Sequence, residues 1–128
     1  MSELSWFKGN IHCHTTMSDG DADPKTAVDW YQSHGYDFLV LSDHNHLTLF
    51  DYQAKDNRDL ILIPGEEVTS SIGGDSIPIH INGIGINQLV EPADCKTVLE
   101  SLQTNIDRIL DAGGLESINH PNYKWALT

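Results

Sequence analysis

Two uninterrupted apolar runs, Phe38-Leu39-Val40-Leu41 and Leu60-Ile61-Leu62-Ile63, constrain the fold more than any other feature of the sequence. Both have strand length and neither alternates with polar residues. Each therefore predicts a strand covered on both faces, as in a parallel sheet flanked by helices. Each run also ends in acids or imidazoles: Ser42-Asp43-His44-Asn45 follows the first, and Pro64-Gly65-Glu66-Glu67 follows the second. The pattern recurs. A first strand over residues 6–14 carries His12-Cys13-His14 and leads into Ser18-Asp19-Gly20. A strand over 77–84 holds His80, and a last one over 115–119 ends in His120-Pro121-Asn122. Parallel strands joined by crossovers bring their C-terminal ends to one face, which is where α/β sites lie. Five segments are thus expected to deliver metal-ligand side chains to one place.

Helix signals fall between these strands. Asp23-Pro24 is an N-cap followed by proline at the first helical position, and Gly35 is the stop. Trp30 and Tyr31 of this helix are expected in the core, with His34 a partner for its carbonyl end. Pro92 and Asp94 introduce a second helix with an apolar stripe of Val98, Leu102, Ile106, Ile109 and Leu110, ended by Gly113-Gly114. Residues 47–55 read as a short helix or ordered loop, with His46 a solvated loop histidine. Residues 69–76 read as a polar, Gly-rich loop.

His12 and His14, one residue apart on a strand, share a face. Asp19 sits on a glycine-containing turn where short polar side chains are expected. Imidazole nitrogens and carboxylate oxygens converging from strand ends suit a divalent metal, whereas isolated histidines would simply be hydrogen-bonded in place. The recurrence across five segments favours the metal. Cys13 alternates with the histidines and should face away from them as a small hydrophobe. With Cys95 it makes neither a CxxC motif nor a disulfide framework. No secretory leader is visible, so a cytoplasmic protein is expected. The net charge of −12 opposes binding to nucleic acid and to anionic membranes. At 128 residues the chain is read as one domain, 1–128.

His12-Cys13-His14 with Ser18-Asp19-Gly20, Ser42-Asp43-His44-Asn45, Pro64-Gly65-Glu66-Glu67, His80 and Asn119-His120-Pro121-Asn122 resemble, in order, the motifs of the PHP (polymerase and histidinol phosphatase) metallohydrolases. The opening Phe7-Lys8-Gly9-Asn10-Ile11-His12 looks most like the branch that includes carbaryl hydrolase. The resemblance implies an α/β fold, the N-terminal portion of a distorted (βα)7 barrel with about five strands present and the barrel incomplete. It implies two to three divalent ions, zinc, manganese or iron. His12 and His14 would bind the first, Glu67 would bridge the first and second, His80 and His120 would complete the second, and Asp19 and His44 would hold a third. Glu67, His14 and His44 would carry the catalysis, and Asp43 and Glu66 would orient imidazoles or tune the field from behind. A hydroxide bridging two metals would attack a small phosphorylated substrate. The alternatives are an ester, amide or carbamate hydrolase, or a non-catalytic metal-stabilised module. The amidohydrolase superfamily also opens with His-x-His, but the Ser-Asp-Gly turn and the Gly-x-Glu slot fit PHP better. The family's late Asp-x-His pair has no counterpart before Thr128, so the chain is expected to be the N-terminal part of such a protein. An incomplete barrel edge would invite self-association. Tyr123, Lys124 and Trp125 are read as a loop that could face the substrate.

Overall fold

The computed structural model of the chain describes residues 4–49, 60–72 and 77–122. Local sequence accounts for both helices in that span. The Asp23 side chain accepts from the Thr26 amide and proline follows it, which fixes the start of helix α1 (Pro24–Ser33). His34 closes it: its Nδ1 lies 2.7 Å from the Trp30 carbonyl and its ring stacks on the indole. That stacking leaves Trp30 half exposed rather than in the core, while Val28 takes the buried position. Helix α2 (Val98–Asp111) is capped by Thr97, whose hydroxyl accepts from the Glu100 amide. Its Ile109 joins Val68, Ile79, Ile81, Ile86 and Val90 in the larger core, with Val98, Leu102 and Ile106 packed against them. Leu110, expected in the same stripe, is turned outward because its neighbour Ile109 occupies the inward position. Among the described residues no helix is long and apolar enough to cross a membrane.

The strands are β1 (Gly9–Asn10), β2 (Phe38–Leu41), β3 (Ile61–Ile72), β4 (Ile77–Ile84) and β5 (Leu115–Ile118), and they lie side by side in that order. β1, β2 and β3 are parallel, as the apolar runs predict. β4 is antiparallel to both of its neighbours, which corrects the expectation of a wholly parallel sheet. Connection length is the reason. Residues 73–76 are all that separates β3 from β4, and a parallel return needs a crossover of about a dozen residues or more. β3 therefore pairs in parallel with β2 through Pro64 and in antiparallel with β4 from Gly65 onward. Gly65 stands at the changeover with no room for a side chain: a Cβ there would lie 2.4 Å from Val40 Cγ1 and 2.8 Å from the Gly83 carbonyl oxygen.

Two further expectations shift. The loop read over 69–76 is largely strand, since β3 runs on to Ile72 in register with β4, while on its other edge Thr69 bonds to the Asn45 side chain and the Ser71 amide donates to Asp94. The first strand is regular only over Gly9–Asn10. Beyond it the chain stays extended beside Ser42, whose amide donates to the Cys13 carbonyl and whose hydroxyl accepts from the Cys13 amide. Cys13 packs toward Val28, Leu39, Leu41 and Leu60, away from the histidines. Residues 50–55 and Tyr123, Lys124 and Trp125 lie outside the described residues. The sheet curls so far that Asn82 on β4 donates to the carbonyl of Ile11, next to β1, at 2.9 Å. The result is a mixed α/β half-barrel. Its last strand, β5, is an edge with Leu115 and Ile118 exposed.

Candidate metal centre

Strand alternation decides which of two adjacent glutamates enters the concave side of the sheet. Glu66 points to the face covered by α2, where its Oε2 accepts from the Val90 amide. Glu67 points the other way, and both residues are fully buried. The backbone of Glu67 is held where the line of β2 is prolonged past Ser42: its amide donates to the Asp43 carbonyl and its carbonyl accepts from the Asn45 amide, each at 3.1 Å. Asn45 adopts φ +47° and brackets Thr69 with both ends of its amide side chain. His44 is thereby fixed beside the glutamate.

Glu67 is ringed by five imidazoles from four other segments. Its Oε2 lies 3.1 Å from His12 Nε2, 3.0 Å from His14 Nε2 and 3.4 Å from His44 Nδ1. Its Oε1 lies 3.1 Å from His80 Nδ1 and 3.2 Å from His120 Nε2, and accepts from Asn119 Nδ2 at 2.9 Å. Burial pushes the Glu67 carboxyl up, but the nearby nitrogens of His12, His80 and Asn119 outweigh it and hold the group well below the usual carboxylate range. His120 has φ +26° immediately before Pro121, a backbone that side chains rarely adopt. The fold accepts that strain in bringing the ring to Glu67.

Several features of this pocket fit a bound cation better than a purely hydrogen-bonded cluster. His12 Nε2 and His14 Nε2 face each other at 2.9 Å while both approach the same carboxylate oxygen. His80 Nδ1 is buried and makes no hydrogen bond, although Glu67 Oε1 is near. Such an orphaned nitrogen suits a lone pair directed at a metal. Three groups of ligand atoms lie close enough to share an ion: His12 with His14 and Glu67, His44 with Glu67 and His80, and His14 with Asp19 and His44.

Asp19 is mostly exposed, with its oxygens 3.4 Å from His14 Nδ1 and 3.7 Å from His44 Nε2. The turn that carries it folds back tightly, since the Gly20 amide donates to the Thr15 carbonyl and a Cβ at Gly20 would meet the His14 carbonyl oxygen at 2.4 Å. Asp43 secures the same turn rather than an imidazole. It accepts from the Thr15 amide, the Thr15 and Ser18 hydroxyls and the Thr48 hydroxyl. Burial raises its carboxyl, and these four donors more than reverse that.

Glu66 orients no imidazole either. Alternation places it on the far face, where burial pushes its carboxyl up to about 7 and Oε1 has no partner. Thr69 was not singled out in the sequence. Its hydroxyl donates to the Glu67 carbonyl and lies 2.6 Å from His44 Nδ1, so that nitrogen carries the proton and Nε2 presents its lone pair toward Asp19. Burial keeps the His44 ring below the usual histidine range, which favours the neutral form that a ligand needs.

No protein-family model and no curated protein matches the sequence. Among solved structures, the chain is similar to a two-domain protein from Bacteroides vulgatus containing a predicted PHP-like metal-dependent phosphoesterase, with a TM-score of 0.61 and 22% identity. The match covers 92% of this chain and 36% of that one. This likeness shows the fold: the curled five-stranded sheet with its two helices corresponds to part of that protein.

Proposed function

We propose that this chain forms the ligand-bearing part of a PHP-type metal-dependent hydrolase, a phosphoesterase acting on a small phosphorylated molecule. The observation that carries the reading is Glu67, a buried carboxylate with both oxygens turned to imidazoles from four segments. The fold likeness to a protein containing a PHP-like metal-dependent phosphoesterase supports it. His12, His14 and Glu67 would hold one divalent cation, Glu67, His80 and His120 a second, and Asp19 and His44 a third. Nitrogen and oxygen donors without thiolate suit zinc, manganese or iron. When bound, such cations supply Lewis acidity toward phosphoryl oxygens and an activated water as nucleophile.

The protein's own groups set the geometry. Glu67, with Oε2 beside His12 and His14 and Oε1 beside His80 and His120, would tie the first two positions together. Thr69 fixes the tautomer of His44, and Asp43 holds the turn that aims Asp19. The resemblance of residues 7–12 to the carbaryl-hydrolase branch makes a carbamate or carboxylic ester the alternative substrate.

The test is metal uptake followed by turnover. Metal-free protein is titrated with Mn²⁺ or Zn²⁺, then assayed with p-nitrophenyl phosphate, p-nitrophenyl acetate and an aryl carbamate. The expected result is uptake of two or more equivalents and preference for the phosphate ester. Glu67→Gln removes a ligand rather than a group behind one, so it should weaken uptake by more than the roughly 100-fold upper range for such supporting groups. A wild-type chain that takes up no metal overturns the reading. Preference for the carbamate moves the substrate to the alternative.

A further inference from the structure

We infer that Asn82 and Asn119 are positioning residues of this centre, forming one amide relay that ties the His12–His14 arm to the carboxylate shared by the metals. The inference rests on the metal-centre reading above and extends it to two residues that touch no proposed ion. Asn82 donates through Nδ2 to the Ile11 carbonyl at 2.9 Å, Asn119 Nδ2 donates to Asn82 Oδ1 at 2.7 Å, and the same Nδ2 donates to Glu67 Oε1 at 2.9 Å. Both side chains are buried, Asn82 at 1% and Asn119 at 8% exposure.

The relay joins elements that the sheet leaves apart. β4 is three places from β1 in the strand order, so no ladder bond links Asn82 to Ile11. Ile11 directly precedes His12, and Asn119 directly precedes His120. The Asn119 backbone amide also donates to the His80 carbonyl. Two asparagines therefore reach the backbone beside three histidines and the side chain of the glutamate they face.

The polarity of the relay has one solution. The Ile11 carbonyl can only accept, so Asn82 must present its NH₂ there and its oxygen to Asn119. Asn119 must then donate both of its amide hydrogens, one to Asn82 and one to Glu67. Every hydrogen-bonding direction is fixed from a main-chain carbonyl at one end to a carboxylate at the other. Glu67 Oε1 consequently keeps one approach filled by an N–H and the remainder turned toward His80 and His120. The carboxylate cannot rotate without leaving a buried amide unpaired, which would cost more than the bond itself is worth.

The experiment measures Mn²⁺ affinity and unfolding free energy in parallel for wild type, Asn119→Ala, Asn82→Ala, the double variant and Asn105→Ala. Asn105 is the structural control: it is equally buried but bonds to Ser70 and Ala93 on the α2 side. Asn119→Ala should weaken Mn²⁺ binding ~10- to 100-fold and Asn82→Ala roughly tenfold, as for other groups that support metal ligands. Because the two act in series, the double variant should be within about twofold of Asn119→Ala alone. Asn105→Ala should lose stability while its affinity stays within about twofold of wild type.

Wild-type affinity in folded Asn119→Ala or Asn82→Ala overturns the inference and leaves the metal centre standing. If Asn119→Ala does not fold, Asn82→Ala decides alone, since it retains the bond from Asn119 to Glu67. A wild-type chain that binds no Mn²⁺ removes the centre and, with it, the relay's role.

Discussion

Replacing Glu66 by glutamine should remove a pH dependence of stability that originates on the far side of the sheet from the histidines. The Glu66 carboxyl is fully buried, accepts one backbone hydrogen bond from Val90 and has an unpartnered Oε1. Burial raises its pKa from 4.5 to about 7, with the Val90 amide opposing and the charge of Glu91 adding to the rise. The folded chain thus holds this proton more tightly than the unfolded chain does. Protonation stabilises the fold fully below pH 4.5, and that contribution is lost as pH climbs through 7. The displacement is worth about 3 kcal/mol, a large share of the stability of a domain this size. Glutamine keeps an acceptor for Val90 but puts an NH₂ where Oε1 has no partner, at a cost of roughly 1–3 kcal/mol. At low pH the variant should therefore be the less stable protein, and by pH 8 it should draw level or pass wild type. Urea unfolding of both proteins at intervals from pH 4.5 to 8, with chelator present, gives the difference directly. Histidine titrations are common to both and cancel. A difference that stays constant within about 0.5 kcal/mol over that range would refute the burial argument.

Other perturbations separate the turn, the tautomer and the fold. Asp43→Ala strands the Thr15 amide and three hydroxyls in a buried setting, and should cost roughly 3–5 kcal/mol in urea unfolding, as when one partner of a buried charged network is removed. Gly20→Ala drives a methyl into the His14 backbone, so the turn must move; about 1–3 kcal/mol should be lost, and metal analysis should show the ion proposed between Asp19 and His44 depleted first. Thr69→Val conserves shape but removes the acceptor at His44 Nδ1. The ring should then populate both tautomers, seen as a changed nitrogen chemical-shift pattern by NMR, and a spectrum identical to wild type would contradict the assignment.

Much of the candidate centre could be read in the sequence because each of its imidazoles and Glu67 follows or interrupts an apolar strand, and strand ends are where a half-barrel gathers its side chains. The convergence of His12, His14, His44, His80 and His120 on Glu67 could be expected on that basis. What stayed hidden depends on partners remote in sequence. Thr69 and Ser70 look like loop residues until β3 is seen to run beside β4 and the Asn45 side chain takes up the Thr69 backbone. Asn82 is one more polar residue in a strand until curvature brings Ile11 across to it. The separate roles of Glu66 and Glu67 follow from period-two alternation, but only once β3 is known to continue beyond them. Asp43 was expected to stand behind the imidazoles, whereas its actual donors, Thr15, Ser18 and Thr48, required the turn to be seen folded.

The position of Glu67 also has a kinetic consequence. Its hydrogen-bonded partners include His12, separated from it by 55 residues, and Asn119, separated by 52 in the other direction. No contiguous stretch can preassemble the proposed chelate, so an unfolded chain would offer a cation little beyond the His12–His14 pair. Loop closure on both flanks must precede most of the coordination. Added Mn²⁺ should therefore act chiefly as a brake on unfolding, with little acceleration of folding.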